Sequence, residues 1–362
     1  MIELDGSFGE GGGQIIRTAL ALSTVTGKPF TVHSIRKGRS ASGLKNQHLY
    51  CIKALEKLCN AKTEGAALGS ENLTFYPGKF EAQKLEIDVE TAGSITLLLQ
   101  SLLLPSMFGS SKTTLAIIGG TDVQWSQPFD YFAEILVPQL RRYADIEVKL
   151  LKRGYYPKGQ GKVEVTIRPK YKLKDFKAVS EFLLHLKEQS KKIILLEQHH
   201  IMQIKGVSHA SLDLQNAKVA ERQAMIAESA LKKLGCPVSI RNEYSNTAST
   251  GSGITLWAIF SKNKDDIDVN NPIRIGADAL GERGKKAEDV GKDAAEKLIN
   301  EIGHKAPVDE YLCDNLLPYL ALFGGSIKAA KISDHALTNI YVIEKFLDVK
   351  FEVDKEKRVI SV

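Results

Sequence analysis

The chain has 362 residues, of which 43% are hydrophobic and 25% are charged, and this composition excludes a fibrous or low-complexity protein. Its length predicts two domains, or one large core that carries an insertion. Basic residues exceed acidic ones by 49 to 43, and the net charge of +6 is compatible with a polyanionic partner without requiring one.

The same order of helix and strand patterns occurs three times along the chain. In each copy an apolar run with helical periodicity follows a turn, and these runs lie at 15–25, 95–107 and 311–323. Strands follow them at 30–35, 114–118 and 326–332. A second helix comes next at 44–59, 129–143 and 337–347, and further strands follow, among them 146–151 and 350–353. We therefore predict an α+β (α/β) fold of three repeated β-α-β-α-β-β units, each with two helices on one face of a small sheet.

Residues 176–278 do not follow this order, and we predict that they form a smaller inserted α/β domain. The segment contains one helical pattern at 217–234 and strand patterns at 193–196, 203–208, 238–244 and 254–260. The remaining residues, 1–175 and 279–362, then form the large three-repeat domain, which we expect to be catalytic.

The first copy has an uneven charge distribution, because no acidic residue occurs from Gly11 to Leu55 while seven basic ones do. Within it, residues 34–45 follow a strand and open a helix, where backbone N–H groups and the helix dipole favour anions. Arg36, Arg39 and Lys45 therefore predict a phosphate-binding loop. A solvated basic loop is the alternative.

The glycine-rich turn at 9–13 completes neither a P-loop nor a dinucleotide-binding motif. It does place the carboxylate of Glu10 beside backbone that a phosphate can approach closely, with Arg17 in the first turn of the following helix. Glu10 is therefore a candidate ligand for a divalent metal. In the alternative interpretation, the glycines only form a tight turn and Glu10 caps the helix.

Two of the eight histidines lie where a phosphate would be handled. His335 falls between a strand and a helix, the position that the basic loop has in the first copy. A helix N-terminus favours the neutral, nucleophilic form of imidazole, although a role in capping or packing is the alternative. His48, beside Gln47, opens the helix after the basic loop and is a candidate phosphate contact.

Other patterns exclude several classes of protein. The four cysteines contain no Cys-x-x-Cys pair, so neither a zinc ribbon nor a disulfide framework is expected. The longest apolar stretch, 95–108, is interrupted by polar residues and is shorter than the roughly 18 residues of a membrane span. Residues 1–6 enter a strand pattern at once, which leaves no room for a leader. We expect a cytoplasmic protein with no membrane contact.

Six motifs follow one another at residues 9–17, 38–49, 119–122, 153–159, 276–284 and 333–340. In this order they resemble the RNA 3′-terminal phosphate cyclases, and the resemblance spans essentially the whole chain. It implies three repeats of the unit described above plus a smaller inserted domain. It also implies an ATP-dependent conversion of an RNA 3′-terminal phosphate to a 2′,3′-cyclic phosphodiester through a covalent histidine–AMP intermediate, with release of AMP and pyrophosphate.

The resemblance implies a role for each matching residue. His335 matches the nucleophile, and Pro128 and Tyr311 match a pair that holds adenine between them. The positions that match ATP contacts are Gln100, Pro128, Tyr311, Leu312, Cys313, Asp314 and Asn315, and Asn315 is one methylene shorter than the Gln of the family pattern. The positions expected to bind phosphate or RNA are Gln14, Arg17, Arg36, Arg39, Lys45, Gln47 and His48. From its place beside the glycine turn, and not from the resemblance, Glu10 is expected to hold the divalent metal, Mg²⁺ or Mn²⁺.

The implied cofactors are ATP and that metal, and the implied partner is RNA with a 3′-phosphate end. Whether the protein forms a homo-oligomer stays an open question.

Two rival functions remain. A non-catalytic ribosome-assembly relative of the same family would bind RNA and would be expected to lack the nucleophile. An enolpyruvyl transferase would share the repeated unit, and fold similarity alone does not exclude it.

Overall fold

A computed structural model of the chain describes residues 1–263, 268 and 271–362. The first unit begins at the N-terminus. Its elements are β1 (Ile2–Asp5), α1 (Gln14–Thr26), β2 (Phe30–His33), α2 (Asn46–Cys59), β3 (Lys62–Glu64) and β4 (Leu73–Tyr76). β1 pairs with β2 in parallel, and β4 pairs antiparallel with both β2 and β3, so the strand order is β1-β2-β4-β3. Leu73 and Phe75 alternate with less buried neighbours along β4, as expected for a sheet with one face on the core.

The second unit repeats this pattern. Its elements are β5 (Lys84–Asp88), α3 (Ile95–Met107), β6 (Thr113–Gly119), α4 (Phe129–Tyr131), a π-helical turn (Phe132–Leu136), α5 (Val137–Leu140), β7 (Ala144–Lys152) and β8 (Gly161–Pro169). The strand order β5-β6-β8-β7, with β5 parallel to β6, corresponds to that of the first sheet. The second helix predicted at 129–143 is thus present, with a π-helical turn in its middle.

An inserted sheet follows. After α6 (Val179–Gln189) and β9 (Ile193–Leu195), the chain forms β10 (His200–Ser211), α7 (Val219–Leu231), β11 (Val238–Ser245), β12 (Ser252–Ser261), β13 (Ile273–Leu280) and α8 (Ala287–Gly303). The strand order in this sheet is β11-β10-β12-β13. Both α7 and α8 pack against it and against each other.

The third unit closes the chain with α9 (Glu310–Phe323), β14 (Gly325–Lys328), α10 (Asp334–Phe346), β15 (Glu352–Asp354) and β16 (Val359–Ser361). Its sheet has the order β15-β16-β14-β9, and β9 pairs in parallel with β14. The third unit therefore begins with β9, which has the place of β1 and β5. The three repeated units and the α+β class predicted from the sequence are confirmed.

The predicted domain limits of 176 and 278 do not match this pairing. The sequence placed the strand at 193–196 inside the insertion, but β9 belongs to the sheet of the third unit. The sequence also placed α8 in the large domain, whereas it packs on β12 and β13. The insertion thus lies within the third unit, between β9 and α9. The sequence did not show this, because hydrogen-bond pairing over long sequence distances determines which sheet a strand joins. A division into two domains with independent roles stays a prediction.

The helices of the three units pack in a cyclic arrangement. The second helix of each unit contacts the first helix of the next: α2 packs on α3, the π-helical turn packs on α9, and α10 packs on α1. Every residue of α1 is buried, and Thr24 and Thr26 donate to carbonyls one turn earlier, those of Leu20 and Leu22 (2.8 Å each). Among the described residues, no helix combines the length and apolarity needed to cross a membrane.

The loops at the carboxyl ends of the paired strands come from equivalent positions in the three units. The loops after the first strands are 6–13 and 89–94, and the insertion occupies the third such position. The loops after the second strands are 34–45, 120–128 and 329–333. Each of these five loops leads into a helix N-terminus. The loops carry Glu10, Arg36, Arg39, Lys45 and Pro128, and the helix starts that follow them carry Gln14, Arg17, Gln47, His48 and His335.

Candidate active site at the amino termini of α1 and α10

His335 lies in the first turn of α10 with its side chain 45% exposed. Ser333 caps this helix, since its Oγ accepts from the N–H of Ala336 (3.0 Å). The same hydroxyl donates to Oδ1 of Asp314 on α9 (2.8 Å). The position of His335 is therefore fixed by a capped helix that is itself tied to the neighbouring helix.

Glu10 contacts both His335 and Arg39. Its Oε2 lies 3.0 Å from Nε2 of His335 and 3.0 Å from Nη2 of Arg39. Nε of Arg39 also donates to the backbone carbonyl of Glu10 (3.1 Å). The structure thus brings together the predicted nucleophile, the predicted metal ligand and one predicted phosphate contact, although 325 residues separate Glu10 from His335 in the sequence. We call these three residues the surface cluster.

The glycines before α1 leave a space that basic groups surround. A Cβ on Gly12 would lie 3.7 Å from Nη2 of Arg39 and 3.9 Å from Cε1 of His335. A Cβ on Gly13 would collide with Nε2 of His48 and lie 3.1 Å from Nη1 of Arg17. Within the described part of the chain, no side chain caps α1, and the first turn of this helix has no acidic residue. Free N–H groups and four basic side chains make this space a cradle for an anion.

The cradle has a neutral donor as well as charged ones. Nδ1 of the buried His48 accepts from the N–H of Lys45 (2.9 Å), so its proton is on Nε2, which has no hydrogen-bond partner among the described residues. Burial, together with the neighbouring cations, lowers the pKa of His48 to about 3. Burial also lowers the pKa of Arg17 to about 10, so Arg17 stays charged at neutral pH.

A chain of hydrogen bonds leads from the cradle to α9. Nε of Arg17 donates to Oε1 of Gln100 (2.7 Å), and Nε2 of Gln100 donates to Oδ1 of Asn315 (3.0 Å). Nδ2 of Asn315 in turn donates to the carbonyl of Tyr311 (2.7 Å). The shorter side chain of Asn315 therefore still reaches a partner, and that partner is a candidate site residue.

A narrow cleft of about 50 Å³ adjoins this chain of hydrogen bonds. Its lining includes Gln14, Thr96, Gln100, Gln127, Asp314 and Asn339. Burial raises the pKa of Asp314 to about 8, although the hydroxyl of Ser333 opposes this, so the carboxyl is mostly protonated at neutral pH. The cleft has room for a few waters and not for a nucleoside.

The other predicted ATP contacts lie around the first turns of α9 and α4. Tyr311 is 47% exposed and packs edge to face on Tyr131, with ring centroids 6.3 Å apart. Pro128 precedes α4 and is buried. Leu312 and Cys313 are fully buried in the core, so the structure does not bring their side chains to the cleft. Tyr311 is the member of this set that offers an open ring surface.

The remaining predicted phosphate or RNA contacts lie near the cradle. Gln14 donates to the carbonyl of His335 (3.3 Å). Arg36 and Lys45 donate to carbonyls of their own loop, at Ala41 (3.4 Å) and Ser42 (3.2 Å). The Cβ of Gln47 faces Gly93. Of the three predicted loop residues, Arg36, Arg39 and Lys45, only Arg39 belongs to the surface cluster in this structure.

Sequence reasoning gave no role to Asp309, which caps α9 and is fully buried there. Its carboxylate accepts from the hydroxyl of Tyr131 (2.5 Å) and from the N–H of Leu312 (2.8 Å) and Gly276 (2.9 Å). The second unit, the inserted sheet and α9 therefore meet at one side chain. Burial raises the pKa of Asp309, which these donors partly oppose. The sequence did carry a signal for this role, because an Asp just before a helical pattern is a typical N-cap residue.

A second group of residues missed by sequence reasoning joins the second unit to the inserted sheet. Nη1 of Arg153 lies 2.8 Å from Asp130 and 3.3 Å from Asp122, and Nη2 lies 2.7 Å from Glu243 on β11. Nε2 of His209 on β10 is 3.2 Å from Asp122. We call these five residues the buried cluster. The motifs at 119–122 and 153–159 contain two of its members, but the sequence did not show that they meet.

Three members of the buried cluster, Asp122, Asp130 and His209, are close enough to share a metal ion. The guanidinium of Arg153, however, already contacts both carboxylates. Burial raises the pKa of the Asp122 carboxyl, but His209 and Arg153 outweigh burial and hold this pKa below its usual range. Because Arg153 provides the cation here, Glu10 remains the better candidate for a metal that acts on a phosphate in the cradle.

Comparison with known proteins shows the family to which the chain belongs. A family model described as RNA 3′-terminal phosphate cyclase matches residues 8–353. The chain is 44% identical to an RNA 3′-terminal phosphate cyclase of Pyrococcus furiosus over 98% of its length and 95% of the relative. It is 43% identical to that of Methanosarcina acetivorans (100% and 99% of the two chains) and 40% identical to that of Saccharolobus solfataricus (99% and 97%). The chain is therefore an enzyme of the RNA 3′-terminal phosphate cyclase family.

Proposed function

We propose that this protein uses ATP to convert the 3′-terminal phosphate of an RNA to a 2′,3′-cyclic phosphodiester, with His335 as the covalent nucleophile. The observation that carries the proposal is the meeting of His335, Glu10 and Arg39 beside the uncapped N-terminus of α1. A nucleophile, a cation and free N–H groups are what a transfer reaction at phosphorus requires.

The reaction has three steps. In the first, a nitrogen of His335 attacks the α-phosphorus of ATP, an N–P bond forms, and the P–O bond to pyrophosphate breaks. In the second, an oxygen of the RNA 3′-phosphate attacks that phosphorus and His335 leaves. In the third, the 2′-OH loses its proton and attacks the 3′-phosphorus, which expels AMP and closes the ring. Since the third step needs a 2′-OH, RNA and not DNA is the substrate.

The basic groups of the cradle stabilise the charge that develops in these steps. Arg17 and Arg39 each bring a guanidinium group, and the neutral His48 adds a donor without adding charge. Because they surround backbone N–H groups at the start of α1, they would bind phosphate oxygens of ATP or of the RNA end. Burial of Arg17 and His48 strengthens such contacts, since less water competes for them.

The carboxylate of Glu10 lies 3.0 Å from Nε2 of His335. Attack on phosphorus through Nε2 would therefore require Glu10 to move away from that nitrogen. Glu10 is only partly buried, so its side chain can change partners at low cost.

A divalent metal fits this site because Glu10 offers a carboxylate beside the glycine cradle. When bound there, the ion would neutralise charge on the transferred phosphates. Arg39 would then keep its contact with the backbone carbonyl of Glu10 while the carboxylate turns to the metal. Mg²⁺ and Mn²⁺ both accept oxygen ligands of this kind.

Labelling with ATP that carries radioactive α-phosphate tests the covalent step. The wild-type protein should retain label that is lost in acid and stable in alkali, and His335→Ala should retain none. His200→Ala, which removes an exposed histidine on β10, is the matched control and should label normally. Full labelling of His335→Ala would contradict the assignment. RNA binding without label in the wild type would favour the ribosome-assembly rival, and absence of both would favour a different enzyme class.

A further inference from the structure

Trp125 is the most exposed of the large hydrophobic side chains in the described part of the chain, at 95%. Its φ angle of 66° lies in the left-handed region, which a bulky side chain rarely adopts. The only other tryptophan, Trp257, is 3% exposed. An indole that is almost fully exposed in the described part of the chain, on an unfavourable backbone conformation, indicates contact with another molecule.

The loop that carries Trp125 is held in place at both ends. The N–H of Phe129 donates to the carbonyl of Thr121 (2.9 Å), which closes the loop. Oγ1 of Thr96 donates to the carbonyl of Gln127 (2.7 Å), and both of these residues line the cleft beside the cradle. Trp125 therefore lies two residues from the cleft, on a loop whose position is fixed.

This loop has the same place in the second unit as the basic loop, 34–45, in the first and the loop before His335 in the third. Those two equivalents provide Arg39 and lead directly to His335, which meet at Glu10. All three loops lead from the second strand of a unit into its second helix. The equivalent loop of the second unit thus extends the site with an aromatic side chain where the others supply charge and a nucleophile.

A second exposed aromatic residue leaves the same edge of the sheet. The N–H of Thr121 donates to the carbonyl of Gly154 (2.9 Å), and Asp122 and Tyr155 form a parallel bridge. Tyr156, the next residue, is 76% exposed. The chain segments that carry Trp125 and Tyr156 therefore run side by side as they emerge from the sheet.

Basic side chains flank these two aromatic residues. Lys158 is exposed two residues after Tyr156, and its N–H is tied to Ser249 (3.0 Å). Arg283 is exposed on the loop that Gln124 holds through Glu282 (3.1 Å). Neither cation has an ion-pair partner among residues 1–263, 268 and 271–362. Glu282 is the one acid in these contacts, and its carboxylate is engaged by Gln124.

We propose that Trp125 and Tyr156 stack against bases of the single-stranded RNA segment that precedes the terminal phosphate, while Lys158 and Arg283 contact its backbone. This inference rests on the proposed function for the identity of the substrate. Proteins commonly bind single-stranded nucleic acid with exposed aromatic rings beside basic side chains, because every base has a face on which a ring can stack. Such binding tolerates any sequence, which suits an enzyme that acts on an RNA end.

Fluorescence provides a direct test, because Trp125 is the only exposed tryptophan. Titration of the full-length protein with a short, 3′-phosphorylated oligoadenylate should quench its tryptophan emission, and Trp125→Phe should bind the RNA equally well without quenching. Trp125→Ala should raise the Kd for the oligoadenylate by about fivefold or more, the usual effect of losing one stacked base. Leu184→Ala, which removes an exposed apolar side chain on α6, should change neither quantity.

A second comparison separates this proposal from the proposed function. Adenosine 3′-phosphate has no base before its terminal nucleotide, so Trp125→Ala should leave its binding unchanged, and labelling from ATP should also stay at the wild-type level. An unchanged Kd for the oligoadenylate would overturn the proposal while cyclisation stands. Self-association of the wild type that Trp125→Ala abolishes, without quenching by RNA, would show a protein interface and overturn it as well. Quenching in a protein that cyclises nothing would support it while the proposed function fails.

Discussion

The surface cluster and the buried cluster use similar charged side chains in opposite ways. In the surface cluster, the side chains of Glu10, Arg39 and His335 are 33%, 41% and 45% exposed. In the buried cluster, those of Asp122, Asp130 and Arg153 are 0%, 7% and 1% exposed. An exposed ion pair contributes little to stability and exchanges its partners easily, whereas breaking a buried pair leaves a charge without compensation. The first cluster can therefore give its charges to a substrate, and the second cannot do so without loss of structure.

The two clusters also differ in what they connect. The surface cluster joins loops of the first and third units, whose relative position determines the geometry of the proposed reaction. The buried cluster joins the second unit to the inserted sheet through Glu243 and His209. The insertion is thus attached by buried charge next to the loop that carries Trp125, and this attachment would fix that loop relative to the cleft.

Removal of the buried cation should have the largest effect on stability. Arg153→Met should lower the free energy of unfolding by about 3–5 kcal/mol, because Asp122 and Asp130 would be left buried without a cation. Arg39→Met, which breaks the exposed pair with Glu10, should lower it by only about 0–1 kcal/mol. Chemical denaturation followed by circular dichroism measures both.

A double variant tests the reason for that difference. If uncompensated charge is the cause, Asp130→Asn in the Arg153→Met background should restore part of the lost stability, since one buried negative charge is removed together with the positive one. Equal losses of stability in Arg153→Met and Arg39→Met would remove the distinction between the two clusters.

The exposed cluster should instead show its importance in the reaction. Arg39→Ala should slow cyclisation at least about tenfold, equivalent to about 1.4 kcal/mol of transition-state stabilisation, because it removes a cation from the cradle. A triple variant of Arg36, Arg39 and Lys45 should also weaken RNA binding more at low salt than at high salt. Cyclisation assays and salt-titrated binding assays measure the two effects.

The outcome of that experiment also bears on the individual residues of the basic loop. In this structure Arg36 and Lys45 bind carbonyls of their own loop, so single replacements of these two should have smaller effects than Arg39→Ala. If the triple variant keeps the wild-type rate and salt dependence, the loop is a solvated surface, the alternative that the sequence left open.

Local sequence patterns were sufficient to predict the three repeated units. Helical periodicity located α1, α3 and α9 to within one or two residues, because these helices are strongly apolar and each follows a turn. The sequence did not show that β9 pairs with β14 and not with the inserted sheet, because that pairing joins strands more than a hundred residues apart. No local pattern contains that information.

The candidate site was likewise predicted only in part from the sequence. The run free of acids and the glycine turn pointed to Arg39 and Glu10, and the resemblance to the family pointed to His335. The fully buried positions of Leu312 and Cys313 could not be read from the motif alone, because adjacent residues of one helix face different sides. The buried cluster was missed, since its members come from two motifs, from α4 and from two strands of the insertion, which only the folded chain brings together.

The smallest predicted effect concerns Glu10, and it separates metal binding from helix capping. Glu10→Gln should keep the fold and nucleotide binding while slowing adenylylation of His335, because an amide is a weak, uncharged ligand for Mg²⁺. A higher metal concentration should then recover part of the rate. The alternative role of Glu10 is to cap α1. In the contacts described, no side chain caps that helix. If Glu10 were nonetheless structural, the variant would lose about 1 kcal/mol of stability and keep the wild-type metal dependence. Thermal unfolding and metal-titrated adenylylation of this one variant decide between the two, with Arg39→Met as the control that removes the other partner of Glu10 and leaves the carboxylate in place.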